Sequence, residues 1–92
     1  MKGKTIARFI DALYDNPEIE AQFRNIRFMV SGYLDADDNY TLRVDTIEKN
    51  SVQLFSLTSK SRQECVSVFE NARIFCGLTI YEAEKEIEVL FG

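Results

Sequence analysis

The sequence predicts an α+β fold: a single small domain, residues 1–92, with two N-terminal helices, a β-hairpin, a third helix and a C-terminal strand, the strands forming a three-stranded antiparallel sheet. Three observations carry this. Apolar residues recur at helical spacing through the first thirty positions, alternate at strand spacing from Tyr40, and return to helical spacing after Ser61. Ninety-two residues with one Pro and four Gly fit one domain, and a chain of this size buries somewhat over ~60% of its extended surface.

Ile6, Phe9, Ile10, Leu13 and Tyr14 follow the i, i+3, i+4, i+7, i+8 rule and predict helix 1 over about 5–14. Asp15-Asn16-Pro17-Glu18 reads as a break and a fresh start, with Asn16 as cap and Pro17 at the first helical position. Helix 2 then runs over about 17–31, burying Ile19, Phe23, Ile26 and Val30, with Gly32 as its terminator. Phe28, Met29 and Tyr33 lie off that stripe as extra apolar surface for a sheet or a second subunit.

After an acidic loop at 34–39, Tyr40, Leu42 and Val44 alternate with Thr41, Arg43 and Asp45 as in a half-buried strand. Lys49-Asn50 is a candidate tight turn, since Asn tolerates positive φ, and the second strand of the hairpin covers about 51–58. Ser61-Arg62-Gln63-Glu64 has the form of a capping box and starts a third helix, with Cys65, Val68, Phe69, Ala72 and Cys76 as its apolar stripe and Gly77 as its end. Leu78-Thr79-Ile80-Tyr81 restarts with β-formers. From there to Phe91 a strand is predicted, although Ile80, Ala83, Ile87 and Leu90 also fit a helical stripe.

As a strand, that last segment places Glu82, Glu84, Glu86 and Glu88 in one row, ~6.6 Å apart at a rise of ~3.3 Å per residue. Neighbours at that spacing repel by ~0.6 kcal/mol in bulk water, so such a row must face solvent or a cationic partner. The formal charge of -4 is spread unevenly. Residues 35–48 hold Asp35, Asp37, Asp38, Asp45 and Glu48 against Arg43, and residues 82–92 hold four Glu against Lys85. Clustered acids suit a basic protein surface and oppose direct binding to DNA, RNA or anionic lipid. These nine carboxylates are the candidate partner contacts.

There is no His, which removes the commonest general base and the commonest metal ligand together. Asp35-Ala36-Asp37-Asp38-Asn39 opens like a calcium loop, but Tyr40 stands where that loop needs Gly and Thr46 where it needs a bidentate Glu. Neither a metal nor a cofactor is expected, and no catalytic residue. Cys65 and Cys76, on one predicted helix, are separated by about 16 Å at ~1.5 Å per residue, too far for a disulfide. They read as small buried hydrophobes. With no apolar run of signal-peptide or membrane-spanning length, the expected location is cytoplasmic and no membrane partner is expected.

In length, acidity and absence of His, from Met1-Lys2-Gly3-Lys4-Thr5 to Glu86-Ile87-Glu88-Val89-Leu90-Phe91-Gly92, the chain resembles the Arn-like anti-restriction proteins of T-even bacteriophages. The resemblance implies a homodimeric DNA mimic in the host cytoplasm that occupies the DNA-binding surface of a restriction nuclease such as McrBC. Under that reading Asp35, Asp37, Asp38, Asp45, Glu48 and the Glu82–Glu88 row stand in for phosphates. The other reading is an interaction or immunity module that binds through an apolar patch and uses its acids only for solubility.

Overall fold

The computed structural model describes residues 1–92 and orders them as α1 (Ile6–Ala12), β1 (Glu18–Phe23), β2 (Ile26–Leu34), β3 (Tyr40–Thr46), β4 (Gln53–Ser59), α2 (Arg62–Asn71), α3 (Ile80–Ala83), a 3-10 turn (Glu84–Glu86) and β5 (Ile87–Phe91). The fold is α+β, with one antiparallel sheet of five strands in the order β4-β3-β2-β1-β5. β1 to β4 form a meander. The chain then crosses the sheet through α2 and α3 and lays β5 beside β1.

The predicted second helix is a β-hairpin. Ile19, Phe23, Ile26 and Val30 do fit a helical period, but Ile19-Ala21-Phe23 and Phe28-Val30-Gly32 also fit a period of two, and the sheet buries more of them. Ile19 faces Val30 and Ala21 faces Phe28 across the pair, and all four are at most 2% exposed. Ile26, which a helix would have buried, is exposed. The two strands join through Arg24-Asn25, where Arg24 takes a φ of 56°. Glycine is the usual choice at such a position, so the turn carries no sequence mark.

Register puts the same parity of every strand on one side. Val30 lies opposite Val44, Val44 opposite Phe55, and Phe23 opposite Ile87. That side meets Phe9 and Leu13 from the α1 region, Cys65, Val66 and Phe69 of α2, Phe75, and Ile80 and Ala83 of α3, in one cluster of 17 buried residues. Phe69 and Phe75 are its centre: their rings lie 6.4 Å apart edge to face, and Phe75 also touches Phe23 and Phe28. Truncating either to Ala should cost about 3–5 kcal/mol. Phe28 is therefore core, whereas Met29 and Tyr33 lie on the opposite face with Glu18, Glu20, Arg27, Ser31, Arg43 and Asp45. No helix covers that face.

Three further boundaries differ from expectation. The β3–β4 connection spans 47–52, longer than a tight Lys49-Asn50 turn, and Asn50 does not take positive φ. Ser61 caps α2, its Oγ accepting from the Glu64 N–H at 3.1 Å, but the helix ends at Asn71, six residues before Gly77. Ala72 turns extended and sends Phe75 into the core. Cys76 (φ 53°) and Gly77 (φ 82°) instead make a tight turn in which the Phe75 and Leu78 backbones bond each other, the both-positive pattern of a type I′ turn. The complete capping box is at Thr79 and Glu82, and it starts α3 where a strand was predicted.

Candidate functional site

The Glu row does not form. Glu82 lies in the first turn of α3, Glu84 and Glu86 in the 3-10 turn, and only Glu88 in β5. Helical and 3-10 geometry point successive glutamates in different directions, so the period-two alignment is lost. Each one also has a cation of its own. Arg73 Nη1 donates to Glu82 at 2.7 Å, the Met1 ammonium lies 3.4 Å from Glu84, Arg24 holds Glu86 through two bonds of 3.0 and 3.1 Å, and Lys2 Nζ lies 3.7 Å from Glu88. Hydrogen bonding from Arg24 holds the Glu86 carboxyl below its ordinary range, and the Thr79 N–H does the same for Glu82. Asp45 is likewise gripped by Arg43, at 2.9 and 3.0 Å, on the uncovered sheet face. Glu48, in the β3–β4 loop, forms no ion pair, although its charge acts on Arg27.

The sheet gathers a different set. β1 begins, β2 ends, β3 begins and β4 ends on one side of the molecule, because Glu18 pairs with Ser31, Leu34 with Tyr40, and Tyr40 with Ser59. The α1–β1 connector is tied to the same end, the Tyr40 hydroxyl donating to the Leu13 carbonyl and the Gly32 N–H to the Pro17 carbonyl. α2 starts there too. Asp15, Glu18, Asp35, Asp37, Asp38 and Glu64 thus share one pole.

None of those six carboxylates has an ion pair within the molecule. Lys60 and Arg62 are the only cations in the same connections: Lys60 donates to the Asp37 carbonyl and its charge favours the ionised Asp35, while Arg62 donates to the Tyr14 carbonyl and the Asn16 side chain, with its guanidinium 4.4 Å above the Tyr40 ring. Six acids against two bases leave -4 at this pole. The other nine acids are matched by nine bases, so the pole carries the whole formal charge of the chain.

Asp35 builds the pole's central loop. Its carboxylate accepts from the Asp37 N–H at 2.8 Å, the Asn39 N–H at 3.0 Å and the Asn39 side chain at 3.2 Å. Those bonds, the Asn39 N–H first, hold its pKa below the ordinary value. Asp38 takes a φ of 61°, which Asp tolerates better than most residues. Asp37 and Asp38 project from a loop whose shape is fixed by Asp35. Of the nine candidates, then, the structure brings together Asp35, Asp37 and Asp38, and leaves Asp45, Glu48 and the four glutamates elsewhere. It adds Asp15, Glu18 and Glu64, which pattern reading placed in the break after helix 1 and in the capping box of the third helix; only the strand order reveals that their connections converge.

No group of three or more His, Cys, Asp or Glu is arranged to hold a metal ion. No helix is long and apolar enough to cross a membrane. No family model, curated protein or solved structure matches the chain. The chemistry available at the pole is electrostatic: unpaired, solvent-facing carboxylates at one end of the sheet, which attract an extended cationic surface.

Proposed function

We propose that this protein is a non-catalytic inhibitor that competes with DNA for a basic DNA-binding protein, a restriction nuclease being the class implied by its likeness to the Arn-like proteins. The observation that supports this most is the pole: the excess of acids sits on connections and element ends at one end of a stiff sheet, and none of its carboxylates is in an ion pair. Charges already paired within the molecule contribute little to a partner, whereas Asp37, Asp38 and Glu18 are free to pair with its Lys and Arg. The cationic groove that receives a phosphate backbone is the complementary surface.

The test is a pull-down from bacterial lysate with the immobilised protein, eluted with duplex DNA or with rising salt. Retained protein should be basic, should leave with duplex DNA, and should not bind when Asp37, Asp38 and Glu18 are changed together to Lys. Retention indifferent to both DNA and salt overturns this reading in favour of an apolar docking module. The uncovered sheet face, where Tyr33 and Phe91 are 47% and 65% exposed, is the surface on which that second reading rests.

A further inference from the structure

The end of the sheet opposite the acidic pole is apolar. There β1 ends at Phe23, β2 begins at Ile26, β3 ends at Thr46 and β4 begins at Gln53. Between these strand ends and the α2–α3 connection lies a cavity of about 210 Å³. Its floor is aromatic: Phe23, Phe28 and Phe75 are at most 2% exposed, and the Phe75 ring lies 5.7 and 5.2 Å from the other two. Ile26, Leu54 and Ile74 form walls that stay partly open to solvent, and Thr46 and Cys76 complete the rim.

Two local features of the chain make this cavity. Gln53 pairs with Asp45 and Phe55 with Val44, so Leu54 is an extra residue in β4 with no partner in β3. A bulge of this kind re-aims a side chain, and here it brings Leu54 into the cavity beside the buried rings. On the other side α2 stops at Asn71 and the chain turns extended at Ala72. Ile74 and Phe75 therefore reach the strand ends as a wall and a floor, not as a further helical turn.

We propose that this cavity binds a small uncharged molecule of one ring that carries a single carbonyl or hydroxyl oxygen. Size sets the first limit. A dry cavity of ~150 Å³ lined by Leu, Ile and Phe takes up benzene, whereas sites for drug-sized ligands start near ~300 Å³. The cavity lies between the two and has room for a ring with a short substituent. The lining sets the second limit. None of its side chains is charged, and Arg24 and Arg73, next to Phe23 and Ile74 in sequence, are committed to Glu86 and Glu82. An ionised ligand would lose its hydration there without gaining a countercharge. Thr46 sets the third. Its Oγ1 accepts from the Val52 N–H at 2.8 Å, which leaves the hydroxyl proton to donate to a ligand oxygen. Water is a poor occupant, since it needs roughly two to four polar partners and the lining offers one hydroxyl and one thiol. The acidic pole, where the proposed protein partner docks, is at the other end of the sheet, so the cavity is left to a free molecule.

Cyclohexanone, benzene and benzoate are the probes, read by the methyl signals of Ile26, Leu54 and Ile74 in the wild-type protein and by the alkylation rate of Cys76, the exposed thiol. Cyclohexanone and benzene should shift those signals saturably and slow the alkylation several-fold, and benzoate should do neither. Thr46→Val should weaken cyclohexanone about tenfold, the worth of one hydrogen bond, and leave benzene unchanged. Ile26→Phe, which fills the mouth, should remove binding of both while its circular dichroism stays native. Shifts that do not saturate, benzoate binding as well as the ketone, an equal loss of both neutral probes in Thr46→Val, or undiminished binding to Ile26→Phe overturns the proposal. So do methyl signals that ignore every probe; if a captured protein partner moves them instead, the cavity receives a side chain and not a free ligand.

Discussion

Arg24 and Glu86, 62 residues apart in sequence, meet through two parallel hydrogen bonds. The first sits in the β1–β2 turn and the second in the 3-10 turn that leads into β5, so the pair joins the two ends of neighbouring strands. It also takes Glu86 out of the set of carboxylates free for a partner. Both side chains are about half exposed, so the pair should add little to stability. Its signature is pH. Glu86 has a lowered pKa in the folded state, so its contribution is present above the ordinary carboxylate range and is lost as pH falls through the folded value. Thermal melts should therefore show a small wild-type advantage over Glu86→Gln at neutral pH that fades in acid and in high salt. Binding to a DNA-competing partner should be unchanged in Glu86→Gln.

The second prediction concerns Tyr40, fully buried with its hydroxyl 2.5 Å from the Leu13 carbonyl. Burial pushes its pKa up to about 12, because the apolar surroundings penalise the phenolate. Tyr40→Phe leaves the Leu13 carbonyl without this donor and should cost about 1–3 kcal/mol in chemical denaturation. The neutral phenol is the form the fold favours, so its contribution is complete below the unfolded value and declines as pH rises toward 12. The gap between wild type and Tyr40→Phe should accordingly narrow in alkaline solution. A gap that widens instead counts against the buried hydrogen bond.

How much of this was legible depends on the element. α1, the β3–β4 pairing and the Ser61 cap follow directly from periodicity and capping chemistry, because one local pattern dominates at each. The β1–β2 hairpin was not legible: its apolar residues satisfy two periods at once, and the turn that decides between them is Arg24-Asn25 without Gly. The C-terminal alternation of Glu misled for a related reason. Thr79 and Glu82 form a capping box, a local interaction worth more to that segment than strand pairing of a glutamate-rich stretch. The acidic pole could not be read from spacing at all. Asp15, Asp37 and Glu64 come to the same end of the sheet only through the order of the strands.

Third, the two cysteines differ sharply. Cys65 is fully buried, its thiol facing the Tyr40 and Leu57 carbonyls at 3.6 and 3.5 Å, and burial raises its pKa. Cys76 is exposed in the type I′ turn, beyond the helix on which both were expected. A thiol reagent at neutral pH should titrate one group quickly and the second only after denaturation. Cys76→Ser should abolish the fast phase and leave the slow one. Two fast thiols mean that α2 does not shield Cys65 as described.

The fourth prediction couples Gly32 to Tyr40. A Cβ at Gly32 runs into the Tyr40 hydroxyl and lies 2.6 Å from Pro17 Cδ, although the φ of Gly32 is ordinary. The glycine is thus required by space: β2 must leave room for the phenol to reach Leu13 across the end of the sheet. Gly32→Ala should destabilise by roughly 3 kcal/mol, the upper part of the overpacking range. In a Tyr40→Phe background the nearest obstruction is gone, so the same substitution should cost less, and the two effects should be less than additive. Pro17 Cδ and the ring Cζ of residue 40, 2.8 Å from that Cβ, still crowd the site, so the rescue is partial. Strict additivity in a urea double-mutant cycle means that these two carbons set the limit and that the hydroxyl is free to move.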